Sequence, residues 1–245
     1  MYKKVEDPWA YLAGFIEGDG CLGLHKGTRG LSTALIVVQK EREILDYFQS
    51  LTGVGNVSKR QLSRVSGYGG TGTSYDWRVR SGRDLKEVLP KVIPYLFSSK
   101  KRKARLVLRY CKTSRTQSMG SKKLSLDVRK RRRRIIRQWS RVLSFEIKRV
   151  AHPSYSLLAG FVDSDGSVGQ FKNQGGYLYW RIVICQKERA LLDYLRDEAG
   201  GLGSIYQRKN NTYAWHINNQ LFLNILNKYL KIKSKKILVQ LSGQS

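Results

Sequence analysis

The sequence predicts an α+β protein built from two copies of one αββαββα domain. A nine-residue segment, LAGFIEGDG at Leu12–Gly20, returns as LAGFVDSDG at Leu158–Gly166. Further matching segments follow in the same order in both halves, at offsets of 146 residues (165 − 19) for an aspartate and 147 (186 − 39) for a glutamine. Self-similarity at a nearly fixed offset indicates a repeated domain. We therefore predict domains at residues 1–111 and 151–245, joined by a linker at residues 112–150.

Each copy is predicted to open with a helix that has one apolar face. Asp7-Pro8 and His152-Pro153 mark the two starts, because proline is tolerated in the first helical turn. Glycines directly after the aspartates mark the ends. Apolar residues recur at spacing i, i+3, i+4 and i+7 in both copies. They are Trp9, Leu12, Ala13 and Ile16 in the first copy and Tyr155, Leu158, Ala159 and Val162 in the second.

The segments that follow change from the period of a helix to the period of a strand. Trp180, Ile182 and Ile184 point one way and alternate with residues that point the other way, as in a half-buried strand. The segments QKEREILDYF and QKERALLDYL then return to helical spacing. A second pair of strands and a closing helix complete the predicted αββαββα order.

The linker is the most basic part of the chain. Residues 112–150 contain 14 Lys and Arg against 2 acids, a net charge of +12, and include RKRRRR at Arg129–Arg134. Helical spacing of apolar residues predicts a basic helix with one apolar stripe, formed by Ile135, Trp139, Val142 and Phe145. A solvated face is one interpretation of such a run, and contact with backbone phosphates is the other.

Composition narrows the class of partner. The formal net charge is +28 and the isoelectric point is about 10.3, which suits a polyanion such as nucleic acid. An anionic membrane surface competes with that interpretation, but no apolar run approaches the roughly 18 to 20 residues that span a bilayer. The N-terminal segment resembles the start of a helix more than a signal peptide, so we expect an intracellular protein. Cys21, Cys111 and Cys185 are isolated and are expected to be free thiols.

Two aspartates occupy unusual places on the predicted first helices. Asp19 and Asp165 lie at the C-terminal ends, where the helix dipole disfavours negative charge. Small residues four apart in each helix would let the two helix backbones approach closely, and these are Gly14, Gly18, Gly160 and Ser164. Packing the helices in that way would bring the two carboxylates together, an arrangement that divalent cations would stabilise.

Oxygen ligands of this kind suit Mg²⁺, which keeps several waters and binds beside substrate phosphates. Metal ions so placed activate water and stabilise a leaving oxygen in phosphodiester hydrolysis. Ordinary exposed acids near a turn are the alternative, which the repetition disfavours. Glu17 and Asp163 lie about 200° around the helix from the aspartates, so we expect them to have structural or capping roles.

LAGFIEGDG and LAGFVDSDG resemble the paired signature of LAGLIDADG homing endonucleases, specifically the single-chain kind with two copies. The resemblance extends over nearly the whole chain. It implies motif helices packed at the centre and two saddle-shaped antiparallel sheets laid into the major groove of a long DNA site. It also implies that Asp19 and Asp165 bind the catalytic metal, helped by the backbone carbonyls of Gly18 and Ser164. Mg²⁺ is the expected cofactor, with Mn²⁺ or Ca²⁺ able to substitute in binding.

Members of that family also place a glutamine and a lysine around the active-site water. The matching residues here are Gln39 and Lys100 in the first half and Gln186 and Lys233 in the second. The two glutamines lie in matching QKER contexts at predicted strand ends. For each lysine, a phosphate contact is the alternative role, and the SSKKRK context of Lys100 offers other lysines at nearly the same place.

Strand alternation selects the candidate DNA-facing residues. Because Trp180, Ile182 and Ile184 are predicted to face the helices, their neighbours face the opposite side of the sheet. By the repeat, the same alternation applies to the corresponding strand of the first half. In the later strands, Trp77 and Val79 are predicted to face inward, so the residues next to them face outward. Arginines after the glycine-rich turns are further candidates. The complete set is Ser32, Ala34, Ile36, Arg60, Arg78, Arg80, Tyr177, Tyr179, Arg181, Arg208, His216 and Asn218.

The sequence and the resemblance together predict a monomeric, site-specific endonuclease that hydrolyses double-stranded DNA with a divalent metal. The resemblance implies cuts across the minor groove that leave 3′ overhangs. Because the two halves differ most at the outward positions, we expect a target that is only partly palindromic. A solvated strand face is the alternative for each outward residue taken alone.

Two other functions stay open at this point. Members of this family can assist splicing of the intron that encodes them, so an RNA maturase acting on a group I intron is the main alternative. A DNA-binding regulator that never cuts is the third possibility. Intact acids in both copies favour the nuclease, whereas the basic linker fits either nucleic acid. Location in a mitochondrion or chloroplast is implied by the resemblance alone.

Overall fold

The computed structural model describes residues 6–27, 30–61, 73–113, 125–142, 147 and 154–232. The first half of the chain contains five helices and four strands within these ranges. In chain order they are α1 (Pro8–Asp19), β1 (Gly20–Gly27), β2 (Gly30–Gln39), α2 (Arg42–Thr52), β3 (Asn56–Gln61), β4 (Thr73–Val79), α3 (Gly82–Val92), α4 (Ser99–Lys112) and α5 (Leu126–Ser140).

The second half repeats the order of the first seven elements. Its elements are α6 (Tyr155–Asp165), β5 (Gly166–Lys172), β6 (Leu178–Gln186), α7 (Arg189–Glu198), β7 (Ser204–Gln207), β8 (Tyr213–Ile217) and α8 (Gln220–Asn227). The predicted α+β class and αββαββα order are therefore confirmed. In the first half, α4 and α5 follow the seven repeated elements.

Each half builds one antiparallel sheet of four strands. The strand orders are β1-β2-β4-β3 and β5-β6-β8-β7, so the second strand of each copy is central. The register begins at equivalent places, with Gly20 opposite Val37 and Gly166 opposite Ile184. The first residue of each first strand therefore directly follows the aspartate that ends the preceding helix.

The strand alternation predicted from the sequence is confirmed. In the first half, Leu35, Val37, Trp77 and Val79 are fully buried. In the second half, Ile182, Ile184, Trp215 and Ile217 are fully buried as well, while Trp180 is half-buried. Complete burial of such side chains stabilises the fold by about 1.5 to 3 kcal/mol each. The opposite face of each sheet is therefore the one available to a ligand.

A tryptophan fixes the glycine-rich turn of each half. The Trp77 indole donates to the Val54 carbonyl at 3.0 Å, and the Trp215 indole donates to the Leu202 carbonyl at 2.8 Å. The glycines that follow, Gly55 and Gly203, have φ values of +83° and +77°. Glycine adopts this left-handed conformation without a steric penalty, which explains why both turns contain it.

The motif helices α1 and α6 are buried on all sides rather than on one face. Every residue from Ala10 to Glu17 is buried, as is every residue from Tyr155 to Asp163. A Cβ atom built at Gly14 would lie less than 3.0 Å from the Leu157 carbonyl oxygen, and one at Gly160 would lie less than 3.0 Å from that of Tyr11. The small residues therefore allow the close backbone approach predicted for them.

The two motif helices begin with different caps. The Asp7 carboxylate accepts from the backbone N–H groups of Trp9 and Ala10, both at 3.0 Å, and so caps α1. The Ser154 hydroxyl accepts from the Leu157 N–H at 3.2 Å and caps α6. Helix α6 therefore starts after the expected His152-Pro153 step, which lies outside the described residues.

The chain forms two compact units that do not follow the sequence repeat strictly. Residues Met1–Gly18 group with Arg149–Ser245, and residues Asp19–Lys148 form the other unit. Helix α1, up to Gly18, thus packs with the second half of the chain. Within the described ranges, no helix has the length and apolarity that crossing a membrane requires.

The predicted basic helix of the linker is present as α5. Ile135 and Val142 are buried in a cluster with Leu106 and Tyr110, and Trp139 packs against that cluster. Three of the four predicted stripe residues therefore face the protein. The fourth, Phe145, lies outside the described residues.

Candidate active site

In the first half, the last residue of α1 meets the last residue of β2. The Gln39 side chain donates from Nε2 to the Asp19 carboxylate at 3.3 Å. Its Oε1 accepts from the Lys40 N–H at 2.8 Å. Because that N–H is only a donor, it fixes which end of the amide points at the aspartate. Asp19 is half-buried, so its carboxylate remains accessible.

The second half repeats this pair. The Gln186 side chain, at the end of β6, donates from Nε2 to the carboxylate of Asp165 at 2.6 Å. Asp165 is exposed at the end of α6. A Cβ atom built at Gly18 would lie 3.4 Å from the Asp165 carboxyl carbon, so α1 passes close beside this carboxylate. The structure thus brings together each aspartate and glutamine that the sequence had matched.

The oxygen atoms at these helix ends fit a hard divalent cation. The last turn of a helix directs backbone carbonyls along the helix axis, and Gly18 and Ser164 belong to those turns. Carboxylate and carbonyl oxygens are the ligands that Mg²⁺ prefers, and one or two carboxylates suffice because Mg²⁺ keeps several waters. Among the described residues, no three His, Cys, Asp or Glu side chains come together.

Of the neighbouring acids of the motifs, Asp163 makes the structural contacts expected of it. Asp163 is fully buried and accepts from the Tyr11 hydroxyl at 2.5 Å. It also accepts from the backbone N–H groups of Lys231 and Ile232, at 2.7 and 3.3 Å. Asp163 therefore ties α1 to the segment after α8. Glu17 is 6% exposed, which keeps its carboxylate away from solvent.

The structure describes one of the two candidate lysines, Lys100, and not the other. Lys100 lies in the first turn of α4, where its backbone N–H is capped by the Ser98 hydroxyl at 3.1 Å. Lys101 is the buried lysine of this segment and donates to the Pro94 carbonyl at 3.3 Å. Lys233 lies outside the described residues. The role of either lysine near an active-site water stays a prediction.

The outward face of the first sheet contains a buried acid that sequence reasoning missed. Asp76 is 1% exposed, accepts from the Ser58 hydroxyl at 2.6 Å and forms an ion pair with Arg78. The ion pair orients the Arg78 guanidinium, whose side chain is 33% exposed. Asp76 is adjacent to the inward-facing Trp77 in YDWRVR. The strand alternation that selected Arg78 therefore also places Asp76 on the outward face.

The other candidates on this sheet differ in accessibility. Ser32, Arg60 and Arg80 are exposed, and Ile36 is half-buried. Ala34 lies on the predicted face but is only 4% exposed. A role for Ala34 in DNA contact stays a prediction.

The outward face of the second sheet holds an arginine between aromatic rings. The Arg181 guanidinium lies 4.5 Å from the centroid of the Phe171 ring and 5.0 Å from that of Tyr179. It also donates to the Tyr179 hydroxyl and lies 3.4 Å from the Nδ1 atom of His216. These contacts fix the arginine before any ligand binds. Phe171 on β5 lies opposite Tyr179 on β6. Extending the strand alternation to β5 would therefore have identified Phe171 as an outward residue.

The surroundings of His216 favour the neutral form of its imidazole. Burial, together with the positive charges of Arg181 and Arg208, lowers the pKa of His216 below its ordinary value of 6.5. A guanidinium only donates hydrogen bonds, so Nδ1 of His216 accepts and the ring proton is on Nε2. The Tyr206 ring lies 5.2 Å from the His216 ring and supports it. His216 thus presents a fixed N–H donor.

The remaining candidates of the second half are open to solvent. Tyr177 is 76% exposed, and Asn218 and Arg208 are exposed. The Arg208 guanidinium also lies 3.2 Å from the sulfur of Cys185. Cys21, Cys111 and Cys185 are free thiols, as expected.

Residues 158–242 match the sequence profile of the family described as LAGLIDADG endonuclease. The match begins within α6 and covers most of the second half. No curated protein sequence matches the chain.

Solved structures share the fold over most of the chain. The LAGLIDADG homing endonuclease I-GzeII, in complex with its DNA target, is 17% identical with a TM-score of 0.63, over 93% of this chain and 85% of its own. I-SmaMI bound to cleaved DNA is 19% identical with a TM-score of 0.63, over 94% and 85%. The meganuclease I-AabMI bound to uncleaved DNA is 19% identical with a TM-score of 0.59, over 94% and 87%. The second half of the chain thus matches the LAGLIDADG endonuclease family model, and nearly the whole chain shares its fold with these LAGLIDADG homing endonuclease structures.

Proposed function

We propose that the protein is a divalent-metal-dependent endonuclease that cuts double-stranded DNA at a specific site. The observation that carries this proposal is the repeated pair of Asp19 with Gln39 and Asp165 with Gln186. Each pair presents an accessible carboxylate that a glutamine holds in one orientation. Two equivalent pairs in one chain match the two strands of a duplex, one pair for each scissile phosphate.

Each residue of the pair has a distinct role in the proposal. Asp19 and Asp165 would hold the metal together with the carbonyls of Gly18 and Ser164. Mg²⁺, when bound, supplies charge neutralisation at the phosphate and activation of a water. The glutamine amide has a second N–H, which can donate to the attacking water and orient it. Lys100 and Lys233 would stabilise negative charge beside the phosphate.

The sheets supply the recognition in this proposal. A β surface can enter the major groove, where base edges differ in their pattern of donors and acceptors. The outward positions differ between the halves, with Arg78 and Arg80 in the first matching His216 and Asn218 in the second. We therefore propose a partly asymmetric target read by a monomer. The family resemblance supports central cuts with 3′ overhangs.

A cleavage selection tests the proposal directly. The protein is incubated with a randomised duplex library and Mg²⁺, and the cut products are sequenced. We expect one family of related sequences, cut centrally, and we expect no cleavage when EDTA removes the metal. Re-addition of Mg²⁺ or Mn²⁺ should restore cutting of the same sequences. An unselective product pool, or equal cleavage in EDTA, would contradict the proposal.

Replacement of Arg181 by lysine should relax specificity at one base pair of the target. A fixed guanidinium can bind guanine O6 and N7 together, whereas an ammonium lacks the planar pair of donors. Loss of such a bidentate contact costs about 1 to 3 kcal/mol of discrimination, so we expect roughly a tenfold or larger loss of preference for guanine there. The measurement is the frequency of each base among sequences cleaved by R181K.

The matched control for this variant is Arg189→Lys. Arg189 is an exposed arginine on α7 that pairs with Asp193 at 3.4 Å, away from the outward strand face. We expect R189K to keep the base preferences of the native protein. If R181K also keeps them at every position, Arg181 does not read a base.

A further inference from the structure

The outward face of the first sheet contains a carboxylate that works against DNA binding. Asp76 lies on β4, and its side chain is 1% exposed although the strand alternation directs it outward. An acid on a face that meets a polyanion lowers affinity, because its charge repels the phosphates. In a chain of net charge +28, an acid at this place therefore requires a reason other than affinity.

Both carboxylate oxygens of Asp76 are engaged by neighbouring side chains. Oδ1 accepts from the Ser58 hydroxyl at 2.6 Å, and Oδ2 accepts from Nη2 of Arg78. Ser58 lies directly opposite Asp76 in the pairing of β3 with β4, so the backbone register fixes the two side chains beside each other. The carboxylate cannot rotate without losing one of these contacts. Asp76 therefore holds the Arg78 guanidinium in one place.

The ion pair leaves the terminal end of the Arg78 guanidinium for a ligand. Nε of Arg78 is buried, whereas the side chain as a whole is 33% exposed. Nη1 has two N–H groups, and Nη2 has a second one besides that directed at Asp76. A cavity of about 460 Å³ adjoins Arg78 and is also lined by Asn56, Ser58 and Arg80 on the same outward face. The edge of a base pair can enter this space.

We propose that Asp76 is a positioning residue for base recognition, which holds Arg78 so that its two terminal nitrogens bind O6 and N7 of one guanine. This role rests on the proposed function, in which the outward face meets a specific DNA site. A free arginine side chain must lose rotamer freedom when it binds a base, and a fixed one has already lost it. Asp76 thus lowers general affinity for DNA and raises discrimination between bases.

The strand register predicts where in the target this guanine lies. Arg78 is opposite Ile36, which is three residues (39 − 36) before Gln39. In the second half, Arg181 is five residues (186 − 181) before Gln186. At about 3.3 Å per residue these separations are about 10 and 17 Å. We therefore expect the guanine read by Arg78 to lie nearer the centre of the target than a guanine read by Arg181.

A binding selection tests the role of Asp76. The full-length chain selects duplexes from a randomised library in Ca²⁺, so that the base preferences do not depend on cleavage. We expect R78A to abolish the preference for guanine at one base pair. D76N should weaken the preference at that same base pair by about fivefold or more, within the range for one bidentate contact. The double variant D76N/R78A should lose no more than R78A alone, because the two residues act as one unit.

Affinity and matched variants separate positioning from charge. D76N should bind a random-sequence duplex at least as tightly as the native protein, because it lacks a negative charge. S58A keeps every charge but removes the hydroxyl that holds Asp76, so we expect a smaller loss of preference at the same base pair. The control is D46N, which removes the same charge from α2, where Asp46 is 45% exposed. D46N should keep all base preferences.

Circular dichroism melts show whether each variant is folded, and S58A provides the test if D76N is not. The proposal is overturned if D76N and S58A keep the guanine preference that R78A loses. A change at a base pair that R78A leaves unaffected would also overturn it, since Asp76 would then read a base itself. If the native protein selects one sequence but does not cut it in Mg²⁺, the endonuclease proposal fails while the role of Asp76 is still supported by its variants.

Discussion

Replacement of Gly14 by alanine is expected to lower the free energy of unfolding by at least about 3 kcal/mol, at the upper end of the usual cost of overpacking. The new methyl group would occupy the place of the Leu157 backbone carbonyl, less than 3.0 Å away. Backbone of a buried helix cannot rotate aside as a side chain does, so α1 and α6 would have to separate. For a chain of this size the melting temperature should fall by roughly 6 to 12 °C, which a circular dichroism melt measures. Gly160→Ala should behave in the same way, because its methyl group would meet the Tyr11 carbonyl.

Gly82→Ala is the matched control for this prediction. A Cβ atom there would lie 3.7 Å from the Cys111 sulfur, which is ordinary contact. Gly82 begins α3, where alanine is the better helix former, so its variant should melt at or slightly above the native temperature. The clash is expected to lower the melting temperature of G14A by several degrees. If G14A instead melts within about 1 °C of the native protein, α1 and α6 are not packed this closely.

Replacement of Asp19 or Asp165 by asparagine is expected to abolish double-strand cleavage while DNA binding persists. Asparagine has the same shape and its amide oxygen still accepts from Gln39 or Gln186, so the local structure should be kept. It lacks the negative charge that holds a divalent cation. Loss of several kcal/mol of charge stabilisation corresponds to a rate reduction of about a thousandfold or more. Linearisation of a plasmid that carries the selected target measures the rate, and a gel shift measures binding.

Asp46→Asn and Asp193→Asn provide controls at equivalent positions of the repeat. Both aspartates lie on exposed helix surfaces and pair with arginines four residues before them. Their variants should cleave at the native rate, because removal of a single surface charge has little effect on a distant site. Full activity of D19N or D165N would remove that aspartate from the proposed metal site.

Local pattern was enough to predict most of the fold. The repeat and the alternation of apolar residues depend on local periodicity, so they gave the element order and the inward faces, including Trp77, Val79, Ile182 and Ile184. The match of Asp19 with Gln39 and of Asp165 with Gln186 came from the family resemblance, and the repeat placed the two glutamines in matching contexts. Both pairs are hydrogen-bonded in the structure.

Features that depend on tertiary contact were not predictable from local pattern. The helical period gave α1 one apolar face, but its burial on all sides depends on a helix more than a hundred residues away. Alternation placed Ala34 on the outward face, but its exposure depends on the height of neighbouring side chains. The pairing of Asp76 with Arg78 and the packing of Phe171 on Arg181 require adjacent strands to be in register. The role of each residue in catalysis or DNA recognition stays a prediction.

The grouping of α1 with the second half has a consequence for synthesis of the chain. Gly14 leaves the ribosome 143 residues (157 − 14) before Leu157, whose backbone carbonyl lies against it. At about 5 to 20 residues per second, the most apolar helix of the nascent chain waits roughly 7 to 30 s for its partner. Residues Asp19–Lys148 can assemble during that interval. Helix α1 is therefore covered later than the elements translated directly after it, and this interval is when a chaperone would most benefit the folding chain.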